Sequence, residues 1–166
     1  NRSAAVRAFV RQVGRQVQGL DIAMARRAEE ANFVIHVVDR VDYLRVGREV
    51  YRRPFGRIPG NCIVRASYSR SGITRSDAII VSDEGDTLFQ RCLIEELLQG
   101  LGPLNDDANA PQSVFNDTTK LTTFTSYDRV ILNMLYDERL KPGMSRDEAS
   151  PLLGEILRDT KRRLRF

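Results

Sequence analysis

Residues 92–106, CLIEELLQGLGPLND, are the stretch on which the fold depends. Leucine and isoleucine occur nearly all round the helix that this stretch would form, and such a pattern predicts a buried helix. Glu95, Glu96 and Gln99 interrupt the apolar surface. Because an unpaired charge is costly to bury, the two acids need arginine partners, a route to solvent along one edge, or a chemical role.

Upstream of this helix, hydrophobic periodicity indicates alternating helical and extended elements. These are a helix over 3–18 with Ser3 as N-cap, strands over 21–25 and 32–38, a helix over 41–53, a loop at 54–61, and strands over 62–68 and 77–82 separated by a turn-rich segment. The strand over 32–38 is apolar enough to be central in its sheet.

The buried helix itself is predicted over 86–101, capped by Asp86 or Thr87. It is followed by an irregular segment over 102–125, a helix over 126–137 and a last helix ending near residue 163. That last helix begins either at Ser145, in a capping box with Glu148, or at Ser150 with Pro151 as its first residue. The order of elements predicts a single α/β (α+β) domain over 1–166, with a small mixed sheet and C-terminal helices.

Composition restricts the classes of function. The 166 residues are 42% hydrophobic and 29% charged, which is typical of a folded globular chain. The net charge of +4 comes from arginines scattered among 22 acidic residues, and the only dense basic run is at 161–166. Basic patches with interleaved aromatics are absent, so we expect no nucleic-acid partner. The apolar run at 33–38 is too short to span a bilayer.

Cys62 and Cys92 are the two cysteines of the chain, and His36 is its one histidine. The two cysteines suit either buried free thiols or one disulfide, and with a single histidine they cannot form a closed four-ligand zinc site. His36 lies in an apolar, strand-like run, which favours a packing or surface role over metal binding.

The segment from Glu95 to Asn105 resembles the zinc-binding helix of metzincin metallopeptidases, His-Glu-x-x-His-x-x-Gly-x-x-His. Glu95, Gln99 and Asn105 stand where the three zinc-binding histidines belong. Glu96 stands at the position of the general base, and Gly102 at that of the glycine.

The resemblance continues downstream over about 45 residues in all. SVFND at 113–117 resembles the metzincin Met-turn, with Phe115 in place of the methionine. Residues 121–137 resemble the helix that follows in matrixin- and serralysin-type enzymes. The resemblance implies a metzincin-like domain whose long helix is of the active-site type.

The chain as a whole also resembles a proteobacterial group of proteins described as lipoproteins, the domain-of-unknown-function family 2927. The shared string comprises Cys92, Glu95, Glu96, Gln99, Leu101, Gly102, Asn105, Asp106, Ser113, Phe115, Asn116 and Asp117. This resemblance implies a periplasmic or membrane-anchored location, with a lipid anchor upstream of the chain. In that oxidising setting Cys62 and Cys92 are expected to form a disulfide.

The departures from the metzincin pattern bear on the chemistry. A catalytic zinc needs three strong ligands and a water, whereas these positions offer one carboxylate and two amides, Gln99 and Asn105. We therefore expect no zinc, no other cofactor and no ordinary zinc proteolysis.

Three hypotheses about function follow. The first is a pseudopeptidase that binds a peptide or protein in the cell envelope, by adding a strand to the sheet edge. The second is a peptidase-like hydrolase that uses Glu95, Glu96, Asp106 and Asp117, either with a hard cation such as Ca²⁺ or Mg²⁺ or as a metal-free acid–base pair. The third is a purely structural polar network that holds residues 102–125 against the helix.

Overall fold

The computed structural model describes all of residues 1–166 as five helices and a three-stranded sheet. In chain order the elements are α1 (Arg2–Gln16), β1 (Phe33–Val38), α2 (Arg40–Val50), β2 (Cys62–Ser69), β3 (Gly72–Val81), α3 (Asp86–Gln99), α4 (Ser126–Leu135) and α5 (Arg146–Leu164). A short 3-10 turn covers Ala28–Glu30. The mixed α/β class predicted from the sequence is confirmed. None of the helices is long and apolar enough to cross a membrane.

The sheet is mixed, with strand order β1-β3-β2. β1 runs parallel to β3, and β2 pairs antiparallel with β3, so that Ile35 lies opposite Ala78 and Val64 lies opposite the same residue from the other side. β3 is therefore central, and its residues Ala78, Ile79, Ile80 and Val81 are all buried. The strand at 33–38 is an edge strand, so the predicted central position was wrong.

Helices cover both faces of this sheet. On one face Ile79 and Val81 pack with Tyr43 of α2. On the other face Ile80 joins the main core, to which α1, α3 and α4 contribute. The predicted stripe of α1 is part of that core: Val6, Phe9, Val10, Val13 and Val17. The alternation along β3 thus places α2 and α3 on opposite sides of the sheet.

Two of the strand predictions were wrong. Residues 21–25 form no strand and pair with none of the three strands; the Ile22 side chain instead packs against the main core. β3 begins at Gly72 rather than at residue 77. The turn-rich segment is mostly strand, since the hairpin needs only residues 70–71 between β2 and β3.

Helix starts also differ from the prediction. The N-cap of α1 is Asn1, whose side chain accepts from the Ala4 N–H, and the N-cap of α3 is Gly85, with φ of 103°. The capping box of Ser145 and Glu148 is confirmed, and α5 continues through Pro151. The irregular segment over 102–125 contains neither helix nor strand.

Candidate functional site: a carboxylate cluster on helix α3

Helix α3 buries three of the predicted site residues. The exposed fractions of Glu95, Glu96 and Gln99 are only 8%, 5% and 7%. Their neighbours Leu93 and Leu97 lie in the main core. The helix is thus buried as its sequence predicts, and its carboxylates are taken out of water with it.

The loop after α3 brings two further carboxylates to the same place. Carboxylate oxygens of Glu95, Asp106 and Asp117 all lie within 4.8 Å of one another. Gln99 joins them, because its Nε2 donates to Asp106 Oδ1 at 2.8 Å. At this separation two ionised carboxylates repel by about 3 kcal/mol at an effective dielectric constant near 20. The cluster therefore favours a shared proton or an added positive charge.

Arg91 supplies the nearest positive charge, one helical turn before Glu95. Its Nε lies 3.7 Å from Glu95 Oε2, and its guanidinium also donates to the Asp117 backbone carbonyl at 3.1 Å. One guanidinium at this long distance balances only part of three acids. Burial accordingly raises the pKa of Glu95 to about 7, with Asp117 and Asp106 adding to the rise and Arg91 opposing it.

Glu96 is the most isolated acid of the group. No protein N–H or O–H donates to its carboxylate, and no cation pairs with it. One of its oxygens lies within 4.8 Å of a Glu95 oxygen. Burial, followed by the charges of Glu95, Asp106 and Asp117, raises the pKa of Glu96 to about 8. Burial and Asp117 also raise the pKa of Asp106, while the hydrogen bond from Gln99 lowers it.

Asp128, at the start of α4, holds the loop that carries Asp117. This fully buried carboxylate accepts from the Ser113 hydroxyl at 2.6 Å, the Val114 N–H at 3.1 Å and the Thr125 hydroxyl at 2.7 Å. The Ser113 oxygen in turn accepts from the Phe115 N–H. Residues 113–115 are thereby tied to the first turn of α4.

The other end of the same loop depends on Asn116. Its side-chain amide donates to the carbonyls of Ala108 and Ala110 at 3.2 Å, and its Oδ1 accepts from the N–H and hydroxyl of Thr118. These bonds close the loop on both sides of Asp117. The position of that exposed carboxylate is therefore set by buried neighbours.

Cys62 and Cys92 form a disulfide, as the sequence comparison implied. The bridge joins the first residue of β2 to α3, one turn before Glu96, with a Cα–Cα distance of 5.7 Å. The Cys62 sulfur lies within 4.8 Å of the Glu95 and Glu96 carboxylates. The edge strand and the acidic cluster are thus covalently connected.

The structure places the predicted residues in three groups. Glu95, Glu96, Gln99, Asp106 and Asp117 come together at the cluster. Ser113, Phe115 and Asn116 are buried in or beneath the loop, and Asn105 is exposed, with no side-chain hydrogen bond. The three positions aligned with zinc ligands therefore do not make up the observed cluster.

The sequence patterns did not identify two residues of the site, Arg91 and Asp128. Each left a signal: Arg91 is four residues before Glu95, which is salt-bridge spacing on a helix. Thr125 and Asp128 have the S/T-x-x-D spacing of a helix start, and Thr125 is indeed the N-cap of α4.

His36 lies away from the cluster, on β1. Its Nε2 is 3.0 Å from Asp77 Oδ1 on β3, and the same carboxylate also binds Arg75 at 2.6 Å through its other oxygen. This arrangement agrees with the predicted packing or surface role.

A separate cavity of about 630 Å³ lies between α1, the 21–32 segment and β1. Twelve of its seventeen lining residues are hydrophobic, among them Ile22, Met24 and Phe33. It contains none of the clustered acids. This apolar cavity and the acidic cluster are therefore in different parts of the molecule.

A known protein family matches most of the chain. The family described as "Protein of unknown function (DUF2927)" matches residues 1–155. No curated protein shows a significant match to the chain. No solved structure does so either.

Proposed function

We propose that this chain, which belongs to the family of proteins of unknown function DUF2927, is a non-catalytic peptide- or protein-binding module with a metzincin-like scaffold. The observation that carries this proposal is the free edge of β2, which begins at Cys62 beside the buried acids. An open strand edge binds an extended peptide through backbone hydrogen bonds, and neighbouring side chains select its sequence.

The direction of the backbone groups along β2 supports this proposal. The Val81 N–H donates to the Asn61 carbonyl, so in the antiparallel ladder residues 61, 63 and 65 face β3. The backbone groups of Cys62, Val64 and Ala66 then point away from the sheet. None of the backbone bonds outside the regular elements involves these three residues. They offer three consecutive sites for an added strand.

The cell envelope is the setting we propose for this activity. A disulfide between β2 and α3 is typical of oxidising compartments. An upstream lipid anchor, as in the lipoproteins that the chain resembles, would hold the domain at a membrane surface. The peptide or protein partner would then be another component of the envelope.

The test is selection of extended peptides from a random library, followed by amide hydrogen exchange on the complexes. We expect bound peptides to protect the N–H groups of Cys62, Val64 and Ala66. Val64→Pro removes one outward N–H and should abolish binding, whereas Val64→Thr keeps both the N–H and the branched shape and should retain it. Thermal unfolding verifies that each variant is folded. Protection that maps away from β2, or no selected peptide at all, contradicts the proposal.

A second candidate, a peptidase-like hydrolase, is favoured by one specific observation. Glu95 and Glu96 are adjacent carboxylic acids whose pKa values are raised to about 7 and about 8. Near neutral pH such a pair holds a proton on one group and a charge on the other, which suits general acid–base chemistry. Peptide-library cleavage read by mass spectrometry tests it: Glu95→Gln and Glu96→Gln should each abolish any cleavage that the wild-type protein shows. Absence of cleavage by the wild-type protein excludes this candidate for peptides.

A further inference from the structure

The cluster of Glu95, Asp106 and Asp117 draws its acids from two different parts of the chain. Glu95 is fixed on α3, and the two aspartates approach it from a loop whose ends are held by buried hydrogen bonds. The loop is thus built so that like charges meet, although only the Arg91 guanidinium is near enough to oppose them. Because buried hydrogen bonds hold these three carboxylates together, a further positive charge beside them would stabilise the arrangement.

Glu96 is an independent sign of a ligand at this place. It is more than nine-tenths buried, it lacks any hydrogen-bond donor or cation, and its carboxylate approaches that of Glu95. Its oxygens are not among the fully enclosed atoms that lack a partner, so the carboxylate faces a space open to solvent, in which a ligand would partner it. Gln99 repeats the pattern, because its Nε2 donates to Asp106 while no group donates to its Oε1. Both side chains therefore leave oxygen acceptors unused beside the cluster.

The donor atoms indicate the chemical class of the missing partner. The oxygens of Glu95, Asp106 and Asp117, all within 4.8 Å of one another, are close enough to bind one ion, and hard cations such as Ca²⁺ and Mg²⁺ prefer oxygen ligands. Mg²⁺ usually keeps several waters and takes only one or two carboxylates, whereas Ca²⁺ accepts more protein oxygens. Zinc prefers nitrogen and sulfur ligands, and the one sulfur nearby is in the disulfide.

We propose that Glu95, Asp106 and Asp117 bind one hard divalent cation of the Ca²⁺ type, with Gln99 Oε1 as a fourth protein ligand. Glu96 lies next to Glu95 at the edge of this site. The bound ion would connect the loop to α3, next to the Cys62 end of β2. This cation site does not depend on peptide binding or hydrolysis, and its ligands differ from the three positions that align with metzincin zinc ligands.

The test measures binding of the metal alone to the full chain after chelation. Isothermal titration and thermal unfolding with CaCl₂ should show one saturable ion per chain, with a dissociation constant up to about 1 mM, the range of extracellular calcium modules. Asp106→Asn and Asp117→Asn should each weaken binding by about tenfold or more. Glu29→Gln, an exposed acid without a hydrogen bond, is the matched control and should bind as the wild type does.

Line broadening by Mn²⁺ locates the ion, because the paramagnetic metal should broaden the amide signals of Glu95, Asp106 and Asp117 first. Both aspartates are exposed, so their variants are expected to fold, and far-ultraviolet circular dichroism verifies this. Three outcomes overturn the proposal: no Ca²⁺ binding up to about 1 mM, equal binding by the two variants and the wild type, or binding of Zn²⁺ with none of Ca²⁺. Failure of peptide selection on β2 leaves all of these readouts intact, so the two proposals fail separately.

Discussion

Replacing Asp128 by alanine is expected to be among the most damaging single changes outside the apolar core. The Asp128 side chain is fully buried and accepts three hydrogen bonds, from Ser113, Val114 and Thr125. Alanine removes every acceptor at once. The Val114 N–H has no rotational freedom to find another partner, whereas the two hydroxyls can turn.

The expected loss of unfolding free energy follows from these contacts. A buried donor left without a partner costs roughly 1–3 kcal/mol, and the Val114 N–H remains so after the change, together with either hydroxyl that finds no new acceptor. We therefore expect Asp128→Ala to cost about 3–5 kcal/mol. Asp128→Asn keeps the shape and one acceptor oxygen, so that it should cost about 2 kcal/mol.

Urea unfolding of the oxidised protein measures both values, with Asp21→Ala as the matched control. Asp21 is exposed and makes no side-chain hydrogen bond, so its replacement should change stability by less than about 0.5 kcal/mol. Limited proteolysis should also cut residues 102–125 faster in Asp128→Ala. If Asp128→Ala unfolds within about 1 kcal/mol of the control, the loop is not held as described and the reasoning fails.

Three further predictions concern the site and its supports. Burial raises the pKa of Glu96 from 4.5 to about 8, so the folded state retains a proton that the unfolded state loses. The contribution of the protonated Glu96 to the unfolding free energy is fully present below pH 4.5 and is lost as pH rises through about 8. Glutamine does not ionise, so Glu96→Gln should abolish up to about 5 kcal/mol of this pH-dependent loss. Urea unfolding of both proteins in the presence of a chelator measures the difference, and parallel pH profiles would contradict the prediction. Reducing the disulfide, which closes a loop with a sequence separation of 30, should lower stability by about 3–4 kcal/mol; equal urea midpoints with and without reductant count against it. Gly100→Ala places a Cβ 2.3 Å from the Phe33 ring and should cost about 1–3 kcal/mol, whereas Gly154→Ala, which meets nothing closer than 4.0 Å, should be neutral or stabilising in thermal unfolding.

Several features of the fold could be predicted because they depend on local patterns. The apolar stripe of α1 and the apolar surface of α3 each follow from helical periodicity, and both lie in the main core. The capping box of Ser145 is likewise a pattern of two residues. Such features need only the residues within a few turns of one another.

Features that depend on distant partners were less predictable. The 33–38 strand has the apolar content of a central strand, yet its position depends on which neighbours are present, and only β3 pairs with it. Residues 21–25 have the apolar content of a strand but pair with none, and Ile22 packs against the helical core instead. The approach of Asp106 and Asp117 to Glu95 could not be predicted from spacing alone, because the intervening loop has no periodicity.

The two open edges of the small sheet also bear on how the protein avoids sticking to itself. Unpaired strand edges promote association between copies, and proteins blunt them with charges, bulges and short strands. β2 carries the exposed Arg65 and a register shift between Ser67 and Tyr68. Only the part of that strand before the register shift, from Cys62 to Ser67, keeps a regular ladder, and Arg65 is its one charged residue. Such an edge strand would admit one short extended segment near Cys62, while the charge and the bulge would disfavour the long pairing that leads to aggregates.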